Sequence, residues 1–283
     1  MVTAPRRGVY EPSLRFVVAE VRFPLSPTLV DPSSLQRLVS VMNPEFPVVR
    51  PFTSGGLMIN LPGAVVPDLS GSSSSQQGYR FMSRDLYTSV SVGASTCAVE
   101  TTVYRSWDAF RSVLEQVLGG LGVRMEAISG IDRIGIRYWN ELRFDDSEER
   151  VSIDQWQEFV VPEALSAHVL PSRVLSYPVE DAQTVTRLVS GDGHEVILRH
   201  GSLRGYSIAE GPLKLPSPLR TGPYYLVDID SSVTASAPLP AFNLEAALAA
   251  ADSVHEPVRR LFDAIVKTSE AAVRQHEHSR GGG

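Results

Sequence analysis

Residues 96–120, TCAVETTVYRSWDAFRSVLEQVLGG, contain a strand, a helix start and a helix stop in one run. Residues 96–104 read as a short strand. Ser106 then stands at a helix N-cap, and Trp107, Phe110, Val113, Leu114, Val117 and Leu118 form one apolar stripe before Gly119-Gly120 closes the segment. A capped helix with one apolar stripe must bury that stripe, and a sheet face is the partner that the preceding strands offer. Upstream, residues 79–83 and 86–92 are extended pieces separated by Arg84-Asp85 and followed by Gly93-Ala94-Ser95, so the helix follows a meander.

Further upstream, residues 14–23 read LRFVVAEVRF, where Phe16, Val18, Glu20 and Arg22 alternate with Val17, Ala19, Val21 and Phe23 until Pro24. Asp31-Pro32-Ser33-Ser34 opens a helix carrying Leu35, Leu38, Val39 and Met42 and ending at Asn43-Pro44. Extended pieces follow at 46–52 and 57–61, and the Ser-rich stretch 70–77 reads as a mobile hairpin loop. Downstream the order begins again: a strand over 131–144, a helical stretch over 153–167 interrupted near Pro162, and strands at 173–179, 184–190, 195–200 and 224–233, with 202–208 a further candidate. Gly191-Asp192-Gly193 marks a tight turn. A long terminal helix starts after Pro240 with Asn243 as cap, bends or breaks near Pro257 and runs to about Gln275.

The expected fold is therefore α+β: tandem β-α-β4-α repeats, the helix-grip or TATA-binding-protein-like layout, with antiparallel sheets placed edge to edge and a long C-terminal helix. The expected units are residues 1–125, residues 126–275 and a flexible tail, 276–283.

Several strings also resemble a sporadically distributed, largely uncharacterised family of bacterial and archaeal proteins of similar length. They are Ala19-Glu20-Val21-Arg22-Phe23-Pro24, the Y-x-x-W-x-x-F string at Tyr104, Trp107 and Phe110, the R-I-G-I-R-Y-x-N string at Arg133 to Asn140, and His255 followed by Phe262. The resemblance spans nearly the whole chain but implies no catalytic residue. A patchy distribution implies an accessory role, in defence or in a specialised pathway.

The chain has 283 residues and a net charge of −6, so it has no global positive field to gather phosphate backbones, and bulk nucleic-acid binding is disfavoured. Of 26 basic residues only Lys214 and Lys267 are lysine, a bias that fits a GC-rich bacterial genome. The single cysteine, Cys97, cannot form an intramolecular disulfide and reads as a buried thiol of a cytoplasmic protein. No secretory h-region follows Arg6-Arg7, and nowhere are there about 18 consecutive apolar residues, so no membrane contact is expected.

The strand RIGIRYWN is the most unusual local string. Arg133, Gly135, Arg137 and Trp139 share one face, and Ile134, Ile136, Tyr138 and Asn140 the other. Such arginines can grip a carboxylate or phosphate, or can pair with Asp132, Glu141 or cross-strand acids on a solvent face. Arg173, Arg187, Arg199 and Arg204 fall in different expected pieces and make a basic stripe only if register aligns them. The expected ligand-binding set is Arg133, Arg137, Tyr138, Trp139, Arg187 and Arg199.

Other groups read as structural. Tyr104, Trp107 and Phe110 read as core, His255 as a surface histidine, and Asp228 and Asp230 as an exposed strand face. His194 and His200 share a strand face but lie about 20 Å apart, and His276 and His278 fall in the tail, so no metal set and no cofactor are expected. Gly205-Tyr206-Ser207-Ile208-Ala209 is only an approximate nucleophile elbow, and the run Asp145, Asp146, Glu148, Glu149 and Arg150 reads as a solvated loop. Without a recognisable catalytic set, the expectation is a non-catalytic binding module for a protein partner or small anionic ligand, and open edge strands with a long helix allow a homodimer. The alternative is an enzyme, a hydrolase or tailoring enzyme, with a cavity between sheet and helix where Arg133, Arg137, Tyr138 or His194 converge. A third reading, a nucleic-acid-associated defence component, rests only on the arginine-bearing strands.

Overall fold

The computed structural model describes residues 13–53, 77–143, 152–205, 212–216 and 222–267. The strands are β1 (Leu14–Arg22), β2 (Val48–Thr53), β3 (Gln77–Met82), β4 (Thr88–Gly93), β5 (Thr96–Thr101), β6 (Arg133–Leu142), β7 (Ala182–Val189), β8 (His194–Arg204) and β9 (Pro223–Thr234). The helices are α1 (Leu35–Met42), α2 (Trp107–Leu118), α3 (Pro162–Leu175) and α4 (Leu244–Ile265). All nine strands among the described residues form one antiparallel sheet in the order β2-β3-β4-β5-β1-β6-β9-β8-β7. The chain is thus α+β, as the sequence predicts, and β1 joins β6 at the centre of the sheet with Val18 opposite Arg137 and Glu20 opposite Gly135.

Alternation decides which side chains meet the helices. Val17, Ala19 and Val21 of β1, Ile134 and Ile136 of β6, and Val227 and Ile229 of β9 enter one large apolar cluster. Leu38 and Met42 of α1, Leu114 and Val117 of α2, Leu165 and Val169 of α3, and Ala251, Val254 and Val258 of α4 complete it. The opposite face buries a smaller cluster of Phe16, Trp139, Leu203, Tyr224 and Leu226. Residues 212–216 cross that face: Leu213 packs on the small cluster, the Lys214 N–H donates to the Leu86 carbonyl, and Thr102 Oγ1 donates to the Lys214 carbonyl.

The caps act as read. Ser106 Oγ accepts from the Ala109 N–H at 3.2 Å, and Asn243 Oδ1 from the Ala246 N–H at 2.8 Å. Gly119-Gly120 does not end the helical path, which continues as a wider π turn to Arg124. The glycines serve close approach instead: a Cβ at Gly120 would lie 2.0 Å from Val41 Cγ1, and one at Gly122 would lie 2.2 Å from the Phe242 ring. Cys97 is buried, and burial pushes its thiol up to about 12.

The second half differs from expectation in three places. Residues 173–179 are not a strand: α3 starts at Pro162, runs through Arg173 to Leu175, and stops where Ser176 turns left-handed at φ 57°. Residues Ile153–Glu158 form a 3-10 helix and α3 begins at Pro162, so the helical stretch is interrupted just before that proline, as expected, and proline suits the first turn that follows. The piece 195–200 and the start of the piece 202–208 are one strand, β8, through Gly201, whose missing Cβ would sit 1.9 Å from the Ala182 carbonyl oxygen on β7, while 206–208 lie outside the described residues. Among the described residues the meander of the second half therefore has three strands, where four were expected. Finally, α4 passes Pro257 without a break, because Val254 and Val258 are buried on either side of it. It ends at Ile265, short of Gln275, and Val266 then bridges to Val160. The expected strand at 57–61, the loop residues 70–76 and the tail 276–283 lie outside the described residues. No described helix is long and apolar enough to cross a membrane.

Candidate functional site

Register settles where the arginines go. On β6, β9 and β8 the cross-strand partners Trp139, Asp228 and Arg199 share a level, with Arg137 opposite Asp230. Asp228 lies on the face opposite the described helices and is 0% exposed. Arg137 holds it with both ends of the guanidinium, Nε to Oδ1 and Nη2 to Oδ2, each at 2.7 Å, and Arg199 Nη1 donates to Oδ2 at 3.2 Å. The Arg137 guanidinium also sits 5.4 Å from the Trp139 ring centroid, a cation–π distance.

The remaining charges continue this lattice. Arg133 donates to Glu20 at 3.3 Å and lies 4.0 Å from Asp230, while Arg22 donates to the same Glu20 oxygen at 2.7 Å. Arg187 is paired with Glu195 across β7 and β8 at 2.5 Å. Burial pushes the Asp230 carboxyl up, against the pull of Arg137 and Arg133. Arg133 and Arg137 are four residues apart on one strand, about 13 Å, too far to hold one small anion together. The structure therefore brings Arg137, Trp139 and Arg199 together around Asp228 and places Arg133 and Arg187 on neighbouring acids. Of the other expected arginines, Arg173 is on α3 and Arg204 is paired with Glu180 at 3.1 Å. Asp228 is not part of an exposed strand face. It is the buried counter-charge that the arginines required.

Tyr138 points to the helix side, away from Arg133 and Arg137. Its hydroxyl donates to Tyr104 Oη at 2.7 Å, and burial pushes its own phenol up. Around this pair lie Phe110, Trp107 and His255, with the Trp107 and His255 rings stacked 4.2 Å apart and 4° from parallel. Trp107 Nε1 and Arg111 Nε both donate to Asp252 Oδ1, at 2.8 and 2.9 Å, which ties α2 to α4. His255 is thus a half-buried stacking residue, not a surface histidine, and burial holds it toward the neutral form against Glu256.

A second polar group lies under α3. His168 Nε2 and Thr184 Oγ1 are 2.9 Å apart, and His200 Nδ1 and Tyr225 Oη are 2.9 Å apart, with the two imidazole rings 5.9 Å from one another. Trp156 Nε1 donates to Ser202 Oγ, and the Tyr225 hydroxyl donates to the Ala164 carbonyl. Burial lowers both histidines, and the neighbouring His168 helps take His200 to about 4.

Comparison with known proteins leaves this geometry to stand by itself. No family model and no curated protein matches the chain.

The third feature is an end of the molecule that sequence reading did not single out. Eleven large apolar side chains are exposed among the described residues, and seven of them fall between Leu170 and Val189: Leu170, Val174, Leu175 and Tyr177 at the end of α3, and Val185, Leu188 and Val189 on β7. β7 is an edge strand. Beside it an open groove of about 530 Å³ runs between β7, β8 and α4, lined by Leu188, Val189, His194, Val196, Ser253 and Pro257 among others. Within the groove His194 Nδ1 lies 3.1 Å from Asp192 Oδ1, and His194 Nε2 lies 3.2 Å from Ser253 Oγ. Hydrogen bonds from Ser190 and His194 hold the Asp192 carboxyl down at about 2. The signal available in the sequence was the run of apolar residues within the expected strands 173–179 and 184–190.

Among the described residues no group of three or more His, Cys, Asp or Glu side chains is placed to hold a metal. Ser207, the acids Asp145 to Glu149, and His276 and His278 lie outside the described residues.

Proposed function

We propose that the protein is a cytoplasmic binding module that docks a protein partner on the end formed by β7, the C-terminal part of α3 and the groove beside α4. The observation that carries this reading is the concentration of seven exposed large apolar side chains at one end of the molecule, three on the edge strand β7 and four on the C-terminal part of α3 and its exit. Monomeric proteins seldom leave such a contiguous patch exposed without using it for association. A protein partner is better supported than a small anion because the arginines that would grip an anion are already held by Asp228, Glu20 and Glu195. An alternating lattice of both signs likewise offers little to a phosphate backbone.

We read the two halves as copies of one strand-helix-meander-helix unit in the helix-grip layout. The sheet order supports this: β2-β3-β4-β5-β1 on one side of the join meets β6-β9-β8-β7 on the other, each half with its first strand at the centre and the strand after its first helix at the edge. The resemblance strings support a common design as well, since Tyr104, Trp107, Phe110, Tyr138 and His255 meet in one aromatic cluster.

Gentle isolation from the native source tests the binding reading. A protein retained by the wild-type chain should be lost from a Leu188→Lys/Val189→Lys variant and kept by Arg133→Ala. Retention that depends on Arg133 and ignores Leu188 and Val189 would reverse the assignment.

A second reading, an acyl-transfer enzyme, is favoured by the Asp192–His194–Ser253 chain in the groove. There Ser253 Oγ would attack an ester carbonyl while His194 Nε2 takes its proton. The alcohol would leave with that proton, and water would release the acyl group. Against it, Ser253 Oγ donates to the Ala250 carbonyl at 2.8 Å, and Ser253 lies mid-helix, where its own N–H is spent. A fluorophosphonate that modifies Ser253 in the wild type and not in His194→Ala would establish the enzyme. The binding reading predicts no modification.

A further inference from the structure

The two edges of the sheet are protected differently. β2, at one edge, carries Arg50 and Pro51, and the proline has no N–H to offer a neighbour. Charge and proline are the devices by which natural sheets keep an edge from pairing with another chain. β7, at the other edge, has eight residues, AQTVTRLV, with no proline and one charge, Arg187, which Glu195 already neutralises. Val185, Leu188 and Val189 stand out from it, 49–63% exposed. α3 is tied to this strand by the His168–Thr184 contact, so Leu170, Val174, Leu175 and Tyr177 belong to the same end of the molecule.

We propose that β7 pairs antiparallel with β7 of a second copy of this chain about a twofold axis, so that the sheet of one copy continues into the other. This inference rests on the binding reading and names the occupant of that surface. Three features select a second copy. A twofold pairing requires a strand that accepts itself, and β7 does: centred on Thr186, Arg187 falls across from Val185 of the second copy and no like charges meet. Centred on Arg187, two guanidinium groups would oppose each other, which disfavours that register. The exposed side chains are apolar on both faces of the strand and call for no charged complement. Finally, seven large side chains exposed by about half to 71% present roughly the 800 Å² per partner that a standard interface takes. Cyclic dimers of this isologous kind are the commonest soluble oligomers.

Sedimentation velocity of the full chain between about 1 and 50 µM tests the proposal. The expected result is a species of twice the 30.9 kDa chain mass that dissociates on dilution. Val185→Lys/Leu188→Lys, which sets like charges across the axis, should weaken association by about 100-fold or more. Val185→Pro, which removes one edge N–H, since the β7 residues bonded to β8 are the even-numbered ones, should also give a monomer. The circular dichroism and melting curve of each variant report whether it folds. If both variants fail to fold, amide exchange of β7 in the wild type decides, since protection must rise with concentration there and nowhere on β2. A monomer at the highest concentration, or a dimer indifferent to both variants, overturns the proposal. A monomer that still retains another protein through Leu188 and Val189 overturns the dimer alone, whereas a monomer that retains nothing removes the binding reading with it.

Discussion

Asp228→Ala is expected to cost about 3–5 kcal/mol of unfolding free energy, the range found when one partner of a buried ion pair is removed. The reason is what remains behind. Arg137 and Arg199 converge on this carboxylate, Arg199 itself is buried, and among the described residues neither has another acid within hydrogen-bond distance. Urea denaturation measures the loss as a lower midpoint at constant slope. The same variant should acquire a property that the wild type lacks. With the carboxylate gone, two guanidinium groups face an anion-sized space, and millimolar inorganic phosphate should raise the midpoint of Asp228→Ala while leaving the wild type unmoved. Replacing all three charges together, as Arg137→Met/Asp228→Leu/Arg199→Met, should recover most of the stability, because desolvating a buried triad offsets much of its attraction. A wild type that phosphate stabilises would mean that these arginines bind ligands after all.

Acid is expected to destabilise the protein through the histidine pair under α3. His200 falls to about 4 and His168 is also lowered, both chiefly by burial, against an unfolded value near 6.5. Below pH 6.5 the unfolded chain therefore binds protons that the folded chain refuses. The stability contributed by the neutral imidazoles is complete above pH 6.5 and is lost progressively as pH falls toward 4, up to about 3 kcal/mol for His200. The groups facing the pair offer no rescue, since Thr184 Oγ1, Tyr225 Oη and the Ala164 carbonyl are all neutral. His200→Gln keeps a hydrogen-bonding side chain without the titration, so its urea midpoint should fall less than that of the wild type between pH 6.5 and 4.5. Equal slopes for the two proteins would remove His200 as the cause.

Local patterns in the sequence carried much of this architecture. The alternation in residues 14–23 and 131–144, the caps at Ser106 and Asn243 and the turn at 191–193 report local physics, and each stands where it was read. Register is non-local, and there the reading stopped. Arg137 and Asp228 are 91 residues apart, and nothing within either strand says that they sit on adjacent strands. The hint available was the charge pattern, two arginines at 133 and 137 on one strand and two acids at 228 and 230 on another of similar length. The misreading of 173–179 has a related cause. Val174, Leu175 and Tyr177 look like strand residues because apolar side chains are expected to be covered, yet they belong to a helix end and its exit and remain exposed. The same exposed apolar side chains are the ones on which the proposed association rests.

The division of labour between the two regions, ion-paired lattice for stability and apolar edge for binding, is tested most directly by amide hydrogen exchange of the natively isolated assembly against the dilute, dissociated chain. Protection gained over residues 182–189 and over 170–177, with residues 133–139 unchanged, is the predicted result. Protection gained over 133–139 and 226–230 with β7 unchanged would contradict the account.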